Sequence, residues 1–349
     1  MNISRSRLLN QHIISPQFDT PQEVVAWMGA MQAQDLASVK WAIGLRTKKP
    51  ALTEVNAALD RGDILRTHLM RPTWHIVQAS DIRWMLALSR ERNQRAFKGW
   101  FKEIWNDTDS YCKSRDIIGE ALCGGRSLSA AELSERFAAC GLPTDERHVK
   151  MYLIRAELDS VICSGRVTGN INTYMLLDER VPVSSLPTKE EMSVRLAANY
   201  FRGHSPATLT DFVWWSGLTQ TEAKKAIASL GRDLMAETCK DRTYYIHIDS
   251  RITGRSAVSA VLLPPFDEIL LGYKDRTPVL PLCHYPYAFT NNGLFFPVLL
   301  HKDRIVGNWK KQPRKTGWEI THACFDSDRS IESEALAQAK DRYLRFVQG

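Results

Sequence analysis

The sequence lacks the features that mark metal-binding, secreted and membrane proteins. Its seven cysteines are an odd number, and no two of them have the C-x-x-C spacing of a zinc site. No apolar run approaches the roughly 20 residues that span a bilayer, and residues 1–5 do not begin a signal peptide. We therefore expect a cytoplasmic protein with reduced thiols, without a metal site and without a membrane partner.

Several catalytic motifs are absent as well. The chain has no glycine-rich phosphate loop, no H-E-x-x-H, no G-x-S-x-G and no deaminase signature. These absences argue against nucleotide hydrolysis, metalloprotease activity and serine hydrolase activity.

What remains is a long, ordinary globular composition with a basic excess. The chain has 349 residues, of which 44% are hydrophobic and 24% are charged. This length favours two or three domains or a tandem array over a single small core. The formal net charge is +7 and the pI is about 9.0. Such an excess favours a polyanionic partner without proving one.

A pattern of helices followed by a two-stranded ribbon recurs along the chain. We therefore predict an α+β fold with three tandem winged-helix motifs, at residues 1–110, 111–182 and 183–254. Residues 255–349 are predicted to form a β-rich region with a terminal helix. The alternative is an irregular α+β protein whose helices and hairpins only resemble such a repeat.

Local patterns predict the ends of individual helices. Thr20 begins one helix and Thr53 caps another. Capping boxes at Ser129 and Thr219 begin two more. A single helix is expected across residues 80–105, and its basic residues indicate either a solvated face or a surface that faces phosphates.

The remaining expectations concern turns and strands. Turns are predicted where glycine, asparagine and aspartate occur together, at residues 169–170, 240–241, 291–293 and 302–303. Residues 255–325 are expected to be mostly β-strand, and residues 330–347 are expected to form the closing helix.

Two glutamines separated by one small residue lie between two helical patterns. Gln32 and Gln34 have their side chains on one side only if the backbone is extended or is leaving a helix. Their amides offer donors and acceptors without net charge, so they are able to hold a water molecule or read the edge of a base. On spacing alone, ordinary surface glutamines at a helix end are the simpler interpretation.

The chemistry open to this pair is limited because an amide does not titrate near neutral pH. The reaction would need only a positioned water. Hydrolysis of a cationic, alkylated purine nucleoside meets this condition, because the base leaves without being protonated. Asp35 would either cap the next helix, which we favour, or place negative charge near that cation.

Residues 64–77 alternate basic or polar side chains with apolar ones, which predicts a β-ribbon interrupted at residues 71–72. Candidate contacts to phosphates or to the minor groove are Arg66, His68, Arg71, Thr73 and His75. His75 is equally well explained as a hydrogen-bonded histidine of the core.

These stretches resemble the characteristic segments of the AlkZ/YcaQ-type bacterial DNA glycosylases. The similar segments span nearly the whole chain in consistent order and lie at residues 29–34, 65–75, 211–218, 263–267, 275–276 and 306–310. Residues 32–34 match the Q-apolar-Q motif of one branch of that family, whereas the other branch has aspartate at the second position. Pro72 stands where the family has glycine and removes a backbone donor, which puts any backbone contact there in doubt.

The resemblance implies a concave DNA-binding scaffold and a monofunctional glycosylase. The enzyme would release N7-alkylguanine, including bulky or crosslinked adducts, from double-stranded DNA without a cofactor, and it is expected to be a monomer. Gln32 and Gln34 would position the water beside the anomeric carbon. Lys310 and Lys311 would contact the DNA backbone, with a solvated strand end as the alternative. Asp275 and Arg276 would support the site or, equally, form a structural ion pair.

The alternative function is a non-catalytic winged-helix regulator of transcription that binds DNA. A regulator has no reason to require both amides of the Gln-Ala-Gln segment, so the two hypotheses differ at that segment.

Overall fold

The computed structural model describes residues 1–169, 171–239, 241–314, 317–326 and 330–349. Its helices are α1 (Ile3–Asn10), α2 (Pro21–Met28), α3 (Leu36–Gly44), α4 (Leu52–Arg61), α5 (Ala79–Trp100), α6 (Lys102–Asn106), α7 (Thr108–Leu122), α8 (Ala130–Ala139), α9 (Glu146–Leu158), α10 (Leu177–Arg180), α11 (Lys189–His204), α12 (Leu209–Ser216), α13 (Gln220–Ser229), α14 (Glu268–Leu271), α15 (Tyr285–Ala288) and α16 (Ser333–Gln348). Its strands are β1 (Met31–Gln32), β2 (Ile64–Leu69), β3 (Thr73–Gln78), β4 (Leu128–Ser129), β5 (Ile162–Ser164), β6 (Thr173–Leu176), β7 (Leu234–Cys239), β8 (Arg242–His247), β9 (Ala260–Leu263), β10 (Val298–His301), β11 (Arg304–Arg314) and β12 (Gly317–Cys324).

The chain divides into two compact units. The first contains Met1–Val55 and Ser193–Gly349, and the second contains residues 56–192. The divisions fall within α4 and α11. The predicted boundaries at residues 110, 182 and 254 separate local repeats of helices and ribbons, which is a different division from the two compact units. These boundaries stay a prediction.

The first unit contains a four-stranded antiparallel sheet in the order β12-β11-β10-β9. Helix α16 packs its aromatic side chains against this sheet and against α3. The Tyr343 ring lies 5.0 Å from that of Trp309 and 5.2 Å from that of Trp41. A Cβ on Gly44 would lie 2.5 Å from the Phe346 ring, so the close approach of the two helices requires glycine there. The Trp41 indole N–H donates to the Leu262 carbonyl at 2.6 Å.

The second unit packs α7, α8 and α9 against a three-stranded sheet in the order β4-β6-β5. The core of this packing includes Ile118, Leu133, Phe137, Tyr152 and Leu153, all of them buried. Strands β2 and β3 form an antiparallel hairpin in the same unit, and α5 packs against β2. The ribbon predicted for residues 64–77 is therefore confirmed.

The capping predictions are confirmed at three of four helices. Thr20, Ser129 and Thr219 each form a capping box with the glutamate three residues later. The prediction for Thr53 is wrong, because α4 begins at Leu52. The Thr53 hydroxyl instead donates to the carbonyl of Gly349, a tertiary contact that the local pattern does not reveal.

Two longer predictions also need correction. The helix expected over residues 80–105 is interrupted at Phe101 (φ −133°, ψ 45°), whose side chain packs against the buried cluster of Phe97 and its neighbours. The region 255–325 is not mostly β, because residues 264–297 carry α14, α15 and irregular chain in place of strands. After this irregular stretch the first strand is β10, which begins at Val298 directly after a proline.

The predicted turns have different outcomes. Lys302 and Asp303 both have positive φ, at 45° and 65°, as a two-residue hairpin turn requires. Gly293 also has the positive φ expected of a turn glycine. Asn170 and Lys240 lie outside the described residues, and so the turns predicted at them stay predictions. Among the described residues, no helix is long and apolar enough to cross a membrane.

His12 makes the stability of the first unit depend on pH. Its ring lies in the core, 4.5 Å from the Phe18 ring and 5.3 Å from the Trp27 ring. Burial is the main cause that lowers the pKa of His12 from 6.5 to about 4. Below pH 6.5 the unfolded chain therefore binds a proton that the folded chain does not bind, so stability falls as the pH drops toward 4.

We predict that His12 alone removes about 3 kcal/mol of unfolding free energy between pH 7 and pH 4. Urea unfolding at both pH values would measure this loss. His12→Asn is the control, because asparagine tolerates the positive φ of 55° at this position. Equal pH dependence in wild type and in the variant would contradict the prediction.

Candidate active site

The Gln-Ala-Gln segment lies in the first unit between α2 and α3. Gly29 ends α2 with φ +74°, and a Cβ there would lie 2.8 Å from the Cβ of Asn199, so this turn requires glycine. Gln32 is part of the short strand β1, and Gln34 is exposed. The extended backbone that the spacing of the two amides needs is therefore present at Gln32.

Asp35 ends this segment as the N-cap of α3. Its backbone is extended (φ −110°, ψ 119°), and its carboxylate accepts a hydrogen bond from the Ser38 N–H at 2.7 Å. The capping role that we favoured on the sequence is thus confirmed. The carboxylate also lies favourably at the positive end of the helix dipole.

Beneath the segment lies a buried carboxylate that the sequence did not single out. The backbone N–H of Gln32 donates to Oε1 of Glu268 at 2.6 Å. The other oxygen, Oε2, accepts from the indole N–H of Trp215 at 3.2 Å and lies 3.4 Å from Nε2 of His204. Glu268 is 2% exposed and His204 is fully buried.

The preceding residue, Asp267, forms an ion pair at the other end of α3. Both of its oxygens accept from the Arg46 guanidinium at 2.9 Å, and neither side chain is exposed. Arg46 also donates to the carbonyl of Ala42 at 2.7 Å and to the backbone and side-chain oxygens of Gln11. The Asp267 carboxylate thus neutralises the Arg46 guanidinium, whose N–H groups donate to protein oxygens, as buried ions require.

The ribbon of the second unit holds two of its predicted contact residues, Arg66 and His68, in a buried polar cluster. The Arg66 guanidinium donates to Oδ1 of Asn172 at 3.0 Å and lies 4.2 Å over the ring of Trp74. The His68 ring lies 3.9 Å from the Trp74 ring, and its Nδ1 is hydrogen-bonded to the Glu157 carboxylate. Burial raises the pKa of Glu157, although the nearby charges of His68 and Arg66 act in the opposite direction.

The turn of the ribbon includes Pro72, the position at which the resembling family has glycine. Met70 has a positive φ of 48°, and its carbonyl accepts two hydrogen bonds from the Arg92 guanidinium, at 2.9 and 3.0 Å. This contact gives Arg92, one of the basic residues of α5, a partner within the protein. Arg83 and Arg90 likewise form ion pairs with aspartates of the same unit.

Beyond the turn, the hydroxyl of Thr73 donates to the Arg71 carbonyl at 2.8 Å. His75 is 1% exposed, and its Nδ1 lies 3.0 Å from the Thr73 carbonyl. This placement agrees with the interpretation of His75 as a core histidine. The DNA contacts predicted for Arg66, His68, Arg71, Thr73 and His75 stay predictions.

The remaining candidates lie in the first unit. Lys310 and Lys311 are exposed on β11, and the Lys311 ammonium is 5.0 Å from the centre of the Trp318 ring. Burial raises the pKa of Asp275, but hydrogen bonds from Thr277 and Arg242 outweigh that effect and lower it. Arg276 is buried against Phe289, Phe295 and Trp214.

Asp275 and Arg276 therefore each have another structural partner, because Asp275 pairs with Arg242 and Arg276 donates to the Leu270 carbonyl. The two segments that we expected to form one site, residues 31–35 and 64–77, belong to different compact units. That they act together stays a prediction. Within the described residues, no group of three or more His, Cys, Asp and Glu side chains is arranged to hold a metal ion.

The family model for DNA glycosylase AlkZ-like proteins matches residues 25–346. The chain belongs to the AlkZ-like DNA glycosylase family. This membership makes the protein a DNA glycosylase, as the resemblance at residues 29–34 and 65–75 implied.

Two comparisons with individual proteins agree with the family. The chain is 24% identical over 312 residues to the interstrand DNA cross-link repair glycosylase of Streptomyces sahachiroi, covering 82% of this chain and 81% of that protein. The structure of the DNA glycosylase AlkZ from Streptomyces sahachiroi superposes with a TM-score of 0.79 at 20% identity, covering 99% of this chain and 95% of that one. The AlkZ-like chain thus shares a mixed helix-and-sheet fold with that enzyme.

Substitutions at Asp35 distinguish its role as the cap of α3 from a role of its negative charge in base release by this AlkZ-like glycosylase. We predict that Asp35→Ala lowers the unfolding free energy by about 1 kcal/mol, because the Ser38 N–H loses its acceptor. Asp35→Ser keeps a capping oxygen but removes the charge, so it should retain both stability and base release. Chemical unfolding and a base-release assay would measure the two effects. A stable Asp35→Ser variant without activity would instead indicate an electrostatic role.

Proposed function

We propose that this glycosylase hydrolyses the N-glycosidic bond of N7-alkylguanine in double-stranded DNA, through a water positioned by Gln32 and Gln34. The observation that carries the proposal is the placement of an uncharged pair of amides at the fixed junction of β1 and α3. The Gln32 backbone is anchored from below by Glu268, and Gln34 is exposed. Membership of the AlkZ-like family supplies the reaction class.

The chemistry suits groups that do not titrate. Alkylation at N7 leaves the guanine with a positive charge, so its bond to the sugar breaks without protonation of the base. As the C1′–N9 bond breaks, its electron pair neutralises the base and the sugar becomes an oxocarbenium-like cation. The water oxygen then bonds to C1′ and one proton passes to solvent. The products are neutral N7-alkylguanine and an abasic site.

The amides of Gln32 and Gln34 would act by orientation. Each amide has an acceptor oxygen and an NH₂ donor, so a pair is able to hold one water in a fixed direction. Holding a reactant in an attacking geometry lowers the barrier by reducing the entropy that must be lost in the transition state. Neither amide needs to remove a proton before the bond to the base has weakened.

We further propose that the substrates include bulky or crosslinked adducts. The relative from Streptomyces sahachiroi is described as an interstrand DNA cross-link repair glycosylase, which supports this extension. The glutamine at position 34, in place of the aspartate of the other branch, favours the same substrates.

The proposal for the scaffold keeps three tandem winged helices around a concave DNA-binding surface. The succession α7, β4, α8, α9, β5 and β6 supports the second motif, because its three helices are followed by the ribbon of β5 and β6, to which β4 adds a third strand. Lys310 and Lys311 would contact the phosphate backbone. The enzyme would act as a cytoplasmic monomer without a cofactor.

The proposal predicts that Gln34→Ala abolishes base release while DNA affinity stays nearly unchanged, because phosphate contacts dominate that affinity. Gln32→Ala should have the same effect. Single-turnover release from duplexes that carry N7-methylguanine or a bulky N7 adduct would measure the first property, and fluorescence anisotropy the second. The ratio of the two release rates would show whether bulky adducts are preferred.

Two results would contradict this assignment. If Gln34→Ala weakens binding and release equally, Gln34 is a binding residue and does not position the water. If wild type binds undamaged DNA tightly but releases neither base, the chain is a DNA-binding regulator that has kept the scaffold of the family.

A second prediction concerns the DNA contact proposed for β11. Lys310→Ala should reduce the slope of log affinity against log salt concentration by about 0.9, the value for one lost phosphate contact. Titrations of duplex DNA over a range of salt concentrations would measure the slope. Lys48→Ala is the matched control, since Lys48 is an exposed lysine paired with Asp19 and not a proposed DNA contact. Equal slopes for Lys310→Ala and wild type would exclude Lys310 as a phosphate contact.

A further inference from the structure

We infer that Glu268 is a positioning residue for the reaction, which fixes the backbone of Gln32 through a buried hydrogen bond. The inference rests on the proposed function, because it assigns a role to the residue that holds one of the two proposed catalytic amides. Glu268 lies 236 positions from Gln32 in the sequence, at the start of α14.

The first argument concerns the cost of burying this group. A carboxylic acid that is 2% exposed loses its hydration, and such a group is retained only where protein donors replace water. Here the donors are the Gln32 N–H and the Trp215 indole N–H. A leucine would fill similar space without that cost. The polar group is therefore best explained by what it holds, which is the backbone of the glutamine segment.

The second argument concerns the proton between Glu268 and His204. Nδ1 of His204 lies 3.1 Å from the Tyr200 carbonyl, which only accepts, so Nδ1 carries a hydrogen. Nε2 faces Glu268 at 3.4 Å, and an attractive contact there needs one further proton, on either partner. The pair is then neutral overall, as suits a fully buried site. Glu268 is thus held from the side of His204 while it accepts from Gln32.

The third argument concerns the backbone that presents Glu268. Phe266 has φ +60°, a left-handed conformation that a bulky residue rarely adopts. Such strain persists only where the surrounding structure determines it. The adjacent Asp267 supplies that determination through its two hydrogen bonds with Arg46. The backbone at Asp267 is therefore fixed, and with it the position from which the Glu268 side chain extends.

Together these contacts fix the position of the Glu268 carboxylate, and the hydrogen bond to it fixes the direction of the Gln32 N–H. A displacement of about 1 Å in a positioned group costs on the order of a hundredfold in rate. Loss of the acceptor at Glu268 should accordingly lower the rate of the chemical step, while DNA binding, which depends on phosphate contacts, stays unchanged.

The test uses Glu268→Ala and Glu268→Gln in the full-length enzyme, with N7-methylguanine duplex as substrate and enzyme in excess. We expect Glu268→Ala to lower the plateau rate of base release by roughly a hundredfold. The enzyme concentration at half-saturation should stay within a factor of about two. Glu268→Gln keeps an oxygen that accepts from Gln32 but turns its NH₂ group toward the Trp215 indole N–H, so its plateau rate should fall less than that of Glu268→Ala.

Leu299→Ala is the control for a general loss of stability, because Leu299 is fully buried in β10 and is not one of the proposed catalytic, positioning or DNA-binding residues. It should keep the wild-type plateau rate below its unfolding temperature. A full plateau rate in Glu268→Ala would overturn the inference. Equal loss in Glu268→Ala and Glu268→Gln would also overturn it, since the charge and not the hydrogen bond would then be what matters.

A second readout separates failure of this inference from failure of the proposed function. The Gln32 amide can be followed by hydrogen exchange in protein labelled with ¹⁵N-glutamine, with its signal assigned by its disappearance in Gln32→Glu. We expect protection in wild type, Leu299→Ala and Glu268→Gln, and faster exchange in Glu268→Ala. This result does not depend on base release. Unchanged exchange in Glu268→Ala would reject the positioning role even if the enzyme is active.

Discussion

The buried acidic pair Asp267 and Glu268 is the constraint on which the glutamine segment depends. Asp267 binds Arg46 just after α3, and Glu268 binds the backbone of Gln32 just before it. Two consecutive carboxylates therefore hold the chain on both sides of a single helix. Removing one partner of a buried ion pair such as Asp267 and Arg46 typically costs about 3–5 kcal/mol. The segment thus gains a fixed geometry from groups that take no part in the chemistry.

The ribbon of the second unit is built on the same principle. His68 and Arg66 lie in a buried polar cluster, where the Glu157 carboxylate of α9 is hydrogen-bonded to His68 and where Trp74 lies against both side chains. A single unpaired charge at this depth would be strongly unfavourable, so the three ionisable groups depend on one another. Substitutions at any of them should be interpreted first through the stability of this cluster, and only then through contacts with DNA.

The proposed chemistry needs no titrating group at the glutamine pair itself. A cationic leaving base needs an oriented water more than it needs an acid, and neutral amides supply orientation at any physiological pH. The negative charge of Asp35 is used by the N-terminus of α3. Glu268 and His204 are neutral as a pair in their buried contact, on whichever of the two the shared proton lies. The amides would orient the water, whereas the carboxylates of Glu268 and Asp35 hold the backbone at Gln32 and at the start of α3.

By itself the sequence determined the helices with capping boxes, the ribbon at residues 64–77, the cap at Asp35 and the family, because each depends on residues that are close together in the chain. The interruption at Phe101 and the start of α4 go together with contacts to residues far away in the chain. The roles of Glu157 and Glu268 could not be predicted for the same reason. Their partners lie 89 and 236 positions away, and no local pattern marks a carboxylate whose function is to be buried.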